Sequence, residues 1–265
     1  MRILRGKIIH SALILGLSLG LSTLASAGGF VTIDTLAEQE GMPGQETDKL
    51  FEWYKKAAEQ GDASAQYHLG EMYAGGDSVP QSYENAFEWI QKAANQEIVA
   101  AQRRLGWLYD TGSGVQQDDT NAVKWYRKAA DKGDAESQFN LGMAYKLGNG
   151  ISKDNDKALE WYTKAADQEY SFAQNALGEM YANGDGIPQD YQKAMEWYLK
   201  AANQIYDAND IRNAGISYAQ YNLGQMYAKG EGVPRNTVIA LEWFKKGCNN
   251  EDEDSCDQYV LLSRQ

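Results

Sequence analysis

The chain has 265 residues, 43% of them hydrophobic and 23% charged, with only 4 prolines. That balance is globular and excludes a disordered or polyproline chain. A formal charge of -12 removes the basic surface that nonspecific nucleic-acid binding needs and argues against adhesion to an anionic membrane, leaving a cationic or mixed protein partner open.

In chain order, residues 1–27 read as a signal peptide. Arg2, Arg5 and Lys7 form a positive start, Ser11 to Leu21 a short apolar run, and Ala25-Ser26-Ala27 a small-x-small cleavage site. The apolar run is shorter than the ~20 residues of a membrane-spanning helix. No Cys follows Ala27 to carry a lipid. The expected product, cut after Ala27, is exported and not inserted in a membrane. Residues 28–47 read as an N-terminal arm, and 48–265 as a repeat domain.

That domain repeats every 36 residues. Trp recurs at 53, 89, 125, 161, 197 and 243, with four intervals of 36 and a last one of 46. Leu-Gly pairs at 69–70, 105–106, 141–142, 177–178 and 223–224 keep the same spacing, as do Ala-Ala pairs from 57–58 to 201–202. Each unit reads as two helices. Ala65, Leu69, Met72 and Tyr73 form the apolar stripe of a first helix, and Ala86, Trp89, Ile90, Ala93 and Ala94 that of a second. Ser82, Asp118, Asp154, Asp190 and Asn236 precede the second helices as N-caps. Gly-x-Gly pairs such as Gly112/Gly114 and Gly148/Gly150 end the first helices. Five full units run from Ala63 to about Asn250, with a half unit at each end, about 48–61 and 252–264.

Catalytic groups are sparse. The glycine pairs follow helices and lack the preceding strand of a dinucleotide fingerprint. His68 is the only histidine after the leader, so no ordinary zinc set forms, and it reads as a surface residue. No Gly-x-Ser-x-Gly, Ser-x-x-Lys after the leader, or Lys-Thr-Gly is present. Glu251 to Asp254 lacks the glycine and spacing of a calcium loop and reads as a solvated acidic turn. No cofactor, no metal and no enzymatic activity are expected.

The pattern Ala-x-x-x-Leu-Gly-x-Met-Tyr-x-x-Gly-x-Gly-Val/Ile, then Asp-x-x-Lys-Ala-x-x-Trp-Tyr-x-Lys-Ala-Ala, almost unbroken from Asn175 to Ala202, resembles the Sel1-like repeat family. The resemblance covers nearly all of the chain after the leader. It implies an all-α, right-handed solenoid of helix pairs related to tetratricopeptide arrays, and a bacterial periplasmic or secreted protein. Members resemble one another in being adaptors, regulators, host-contact factors or immunity proteins, so fold alone does not choose the role. Some cysteine-rich members are described as β-lactam-hydrolysing, a hydrolase reading that the missing motifs disfavour. The Cys-x7-Cys spacing of Cys248 and Cys256 looks like the disulfide of those members, with a redox or metal role as the alternative.

In tetratricopeptide-like arrays the outer face of each first helix lines a concave groove. The corresponding columns here include Tyr67, Arg103, Phe139 and Tyr221; Glu71, Trp107, Met143, Glu179 and Gln225; Phe172 and Tyr218; and Leu147. Trp107, the one tryptophan off the structural register, is expected to form an apolar patch with Phe139, Met143 and Leu147, with Arg103 as an anchor. The ten extra residues near 205–214 either lengthen the adjoining helices or form a loop, and are a second candidate surface. The expected function is non-catalytic: an exported adaptor or regulator binding an envelope protein, or alternatively an immunity protein that blocks a secreted effector.

Overall fold

The computed structural model describes residues 24–26, 29–31, 47–206 and 214–264. A three-residue strand, Leu24–Ser26, pairs antiparallel with Gly29–Val31. Apart from that pair, the leader at 1–27 and the arm at 28–47 lie outside the described residues, as does most of the 205–214 insertion. Twelve α-helices make up the rest of the regular structure among the described residues. They fall in two compact units, Met1–Ala129 and Ala130–Gln265. The first holds α1 (Thr47–Glu59), α2 (Ala63–Gly75), α3 (Tyr83–Asn95), α4 (Val99–Thr111) and α5 (Asp119–Ala130). The second holds α6 (Ala135–Leu147), α7 (Asn155–Ala166), α8 (Ser171–Asn183), α9 (Tyr191–Ala202), α10 (Ala214–Lys229), α11 (Thr237–Asn249) and α12 (Glu253–Ser263). Within each unit every helix packs on its predecessor, the arrangement of an all-α solenoid.

Local chemistry marks the helix boundaries. Asp134 accepts from Ser137 N at 2.8 Å and Asp252 from Ser255 N at 2.8 Å, opening α6 and α12. Ser82, Asp118, Asp154, Asp190 and Asn236 all cap second helices as the sequence predicts. A side-chain oxygen at that position satisfies a backbone N–H that has no partner within the helix. At the other end, Gly148 (φ 79°) turns the chain left-handed and returns its N–H to Ala144 O at 2.8 Å.

The two helices of a repeat approach closely at the Leu-Gly pair. A Cβ on Gly142 would lie 2.6 Å from the buried Tyr162 ring, and one on Gly106 would lie 2.7 Å from Tyr126. Leu69, Leu105, Leu141, Leu177 and Leu223, beside these glycines, are fully buried. On the second helices a lysine covers the tryptophan one turn earlier: Lys92 on Trp89, Lys128 on Trp125, Lys164 on Trp161, Lys200 on Trp197 and Lys246 on Trp243, at 3.7–3.9 Å from the ring centroid.

A buried glutamine column links successive repeats. Gln66, Gln102, Gln138, Gln174 and Gln220 each donate Nε2 to the carbonyl of the second Ala-Ala residue before them, at 3.1–3.3 Å. Their Oε1 atoms accept from Gln96, Gln168, Gln204 and Asn250 at 2.8–2.9 Å, except that Gln102 Oε1 has no hydrogen-bond partner. Buried amides satisfied in this way fix the spacing of one repeat against the next.

The insertion adds helix rather than altering α9. α10 has 16 residues where α2, α4, α6 and α8 have 13, and Ile216 in its extra turn is buried. Gly215 permits that turn to lie against Ser171 and Phe172, since a Cβ there would run into their backbone. Ile205 and Tyr206 continue past α9, Ile205 fully exposed, and 207–213 lie outside the described residues.

Candidate protein-binding face

In the second unit the first-helix columns carry a run of aromatic rings. Phe139 on α6 stands 5.5 Å from Tyr162, 5.6 Å from Tyr170 and 5.8 Å from Phe172. Phe172 on α8 is 6.2 Å from Tyr218 on α10 in an edge-on pair. Tyr221, one turn further, is 5.8 Å from Phe244 and accepts from Gln225 Nε2 at 2.9 Å. Phe139, Phe172, Tyr218 and Tyr221 are half-buried. Met143 is likewise half-buried, and Leu147 is exposed.

Glu179 lies among these rings. Asn175 Nδ2 donates to it at 3.0 Å, and Asn222 Nδ2 donates to Asn175 Oδ1 at 2.9 Å. Burial, and then the Glu179 charge, push the Tyr162 phenol far up; Tyr198 is raised in the same way, with Glu231 adding to it. Burial, then Asp252, Asp254 and Glu179, raise Tyr218. Burial, Asp254 and Asp252 raise Tyr221, and its bond from Gln225 opposes them. The face is therefore aromatic and set in a negative field.

The first unit is built differently. Trp107 is half-buried against the core of α3 and α4, 6.3 Å from Tyr83. Arg104 lies 4.3 Å above its ring, and Arg104 Nε is 3.0 Å from Glu71 Oε1. Trp107 Nε1 is buried with no hydrogen-bond partner. Arg104, which the sequence reading passed over in favour of Arg103, is thus the cation seated on Trp107. Its signal was a register: Glu71 and Arg104 lie 33 residues apart, one turn short of a repeat. Tyr67 packs 5.5 Å from His68, which also meets Tyr54 at 4.9 Å. His68 is therefore not the surface residue expected: burial, opposed by Asp62, lowers its pKa and favours the neutral ring.

Cys248 and Cys256 form a disulfide with Cα atoms 4.5 Å apart, tying α11 to α12. Of the acidic turn between them, Asp252 serves as the α12 cap. Among the described residues no three His, Cys, Asp or Glu side chains come together as a metal site requires. A cleft of about 870 Å³ lies at the α7–α8 turn, with Tyr170, Trp197, Lys200 and Gln204 in its wall.

The Sel1 repeat family model matches residues 51–62, 63–97, 99–134, 135–170, 171–206 and 217–252. These bounds hold the five full units and most of the leading half unit. Among solved structures, the chain is similar to a protective antigen of uropathogenic Escherichia coli with this fold, at 33% identity and a TM-score of 0.73. That match covers 86% of this chain and 48% of the antigen, so the chain spans about half its length. It is also similar to a Sel1 repeat protein of Oxalobacter formigenes, at 32% identity and a TM-score of 0.65, covering 74% of this chain and 76% of that one. An immunity protein of Pseudomonas aeruginosa shares the fold at 18% identity and a TM-score of 0.50, over 83% of this chain and 81% of its own. No curated protein matches the chain. Sel1 repeats are a scaffold for protein–protein interaction and are generally non-catalytic. With the family model matched over most of its length and the paired helices in the same register, the chain belongs to the Sel1 repeat family.

Proposed function

We propose that the chain is an exported, non-catalytic module that recognises a protein partner on the first-helix face of its second unit, as a periplasmic adaptor or regulator. The observation that carries this reading is the run of half-open rings Phe139, Phe172 and Tyr218 on three successive first helices. Interfaces concentrate their energy in such aromatic anchors. The signal-peptide pattern of residues 1–27 supports export, and no described helix is long and apolar enough to cross a membrane. A second reading, an immunity protein that blocks a secreted effector, is favoured by the charge of -12, which suits a basic toxin.

The test is affinity purification from the periplasm with wild type and a Phe139→Ala/Phe172→Ala variant of native circular dichroism. One partner held by the wild type and lost by the variant supports the face. A partner retained by both refutes it. Capture of a secreted toxin rather than an envelope protein selects the immunity role. Fractionation checks export separately: a chain that keeps residues 1–27 in the cytoplasm overturns that part.

A further inference from the structure

Two glutamates occupy the same column of the repeat, Glu71 in the first unit and Glu179 in the second. Glu71 is neutralised from within. Arg104, 33 residues on, stands 3.0 Å away, its guanidinium stacked 4.3 Å from the Trp107 ring centroid. Neither Arg104 Nε nor Glu71 Oε1 makes a hydrogen bond, so the guanidinium is held by the charge of the carboxylate on one side and by the aromatic face on the other.

Glu179 has no such cation. The position equivalent to Arg104, allowing for the ten-residue insertion, is Asn222, and its amide donates to Asn175 instead. Asn175 gives Glu179 a single hydrogen bond, and among the described residues no lysine or arginine pairs with it. Aromatic rings are nonetheless in place: Tyr221 and Tyr218 stand one and two turns before the position equivalent to Trp107. Asp252 and Asp254 add negative charge on the same side, since both act on these two phenols. The second unit thus holds the acceptor half of an arrangement that the first unit completes internally.

We propose that Glu179, joined through Asn175 to the helix that carries Tyr218, receives an arginine side chain from a basic segment of the protein partner. The inference rests on the interaction reading above and specifies its chemistry. Asp252 and Asp254 draw the segment in, and Glu179 fixes one guanidinium by charge and position. A neutral or acidic segment would leave Glu179 half-desolvated against a partner surface, which is costly.

The full chain, with Phe and Tyr rings isotopically labelled, is titrated with a blocked pentapeptide, Ala-Arg-Ala-Arg-Ala, and with the same peptide carrying citrulline for arginine. The expected result is saturable shifts of the Tyr218 and Tyr221 resonances that weaken with salt. Citrulline, or Glu179→Gln, weakens apparent affinity by about tenfold or more. Glu160→Gln, on an exposed second-helix surface, leaves it unchanged. An Asn222→Arg variant supplies the guanidinium from within: its melting temperature rises, the rise disappears when Glu179→Gln is added, and peptide binding is lost. Equal binding of the two peptides, binding of neither, or wild-type binding by Glu179→Gln overturns the proposal. So does an Asn222→Arg variant that changes neither melting nor binding. A partner that depends on Phe139 and Phe172 yet is retained by Glu179→Gln leaves the interaction reading standing and removes only this one.

Discussion

Gln138 and Cys256 hold the same position in their repeats, as do Ala130 and Cys248, but the two pairs are joined differently. In the interior, Gln138 donates to the Ala130 carbonyl of the preceding repeat at 3.2 Å and accepts from Gln168, just past the second helix of its own repeat, at 2.8 Å. At α12 the same two positions are linked by a disulfide. The glycine column changes alongside: Gly142 lies against Tyr162, whereas its counterpart on α12 is Val260, 45% exposed. Both changes have one cause. An interior glutamine is satisfied only when the second helix after it is followed by an amide side chain, and an interior glycine is required only when that second helix packs on it. On α12, the last described helix, neither condition holds, and the covalent link replaces the hydrogen-bonded one.

The sharpest break of this comparison is at the glycine column. Gly142→Val forces side-chain atoms into Tyr162 and is expected to cost about 3 kcal/mol of unfolding free energy, the upper end of ordinary overpacking. Val260→Gly costs only the helix propensity of an exposed position, about 0.5–1 kcal/mol. Urea unfolding of both variants decides it, and equal losses would remove the distinction. Next comes the disulfide: closing so short a loop contributes about 2.5 kcal/mol in the chain-entropy picture. A Cys248→Ser/Cys256→Ser variant should lose that much, and reductant should then have no further effect.

Smaller still is the glutamine column, which tests its own irregularity. Gln138→Leu strands the Ala130 carbonyl and the Gln168 amide, an expected loss of about 1–2 kcal/mol. Gln102→Leu should cost less, because Gln102 Oε1 already lacks a partner. The reverse order would show that the column acts by packing and not by hydrogen bonding. The smallest effect is electrostatic. Burial first, and then the charge of Asp119, raise the Asp110 carboxyl above its ordinary 3.8, with the Tyr126 hydroxyl opposing. The native chain therefore keeps that proton to higher pH than the unfolded chain does, and stability falls as pH rises from 3.8 through the raised value. Asp110→Asn should match wild type in acid and become the more stable of the two as pH rises. Unfolding curves from pH 3 to pH 7 should show that divergence, and parallel curves would refute it.

The array was legible because each structural requirement recurs at one spacing. Asp118, Asp154 and Asp190 stand as caps, and Gly148 and Gly184 end first helices. The tryptophan column, however, is not the core stripe expected: only Trp125 of it is buried and Trp53 is exposed, and the next residue, Ile90, Tyr126, Tyr162, Tyr198 or Phe244, fills the core instead. What broke the period was harder to see. Glu97, Glu169 and Glu251 adopt positive φ where Gly61 and Gly133 do so elsewhere, although no local sequence rule assigns glutamate to that conformation. The extra turn of α10 depends on Gly215 meeting α8, a tertiary contact that no single-helix pattern encodes. The same holds at the candidate face. Phe139, Phe172, Tyr218 and Glu179 could be picked from columns, but the pairing of Arg104 with Glu71, and the absence of its counterpart at Asn222, depend on a register between helices. Trp107, chosen for being off register, proved half-buried beneath Arg104.

The bridge between α11 and α12 has a consequence for how the molecule wears. α12 buries a single residue, Ser255, so little apolar surface holds it in place. In chains stabilised by nearest-neighbour contacts the least buried element opens most readily, and a helix with so little burial would open first. The disulfide converts that opening from a matter of thermal fluctuation to one of redox state. Under oxidising conditions amide hydrogens in α12 should exchange nearly as slowly as those of α11. Under reducing conditions α12 should exchange freely while α11 stays protected, and a protease would find its first cut there.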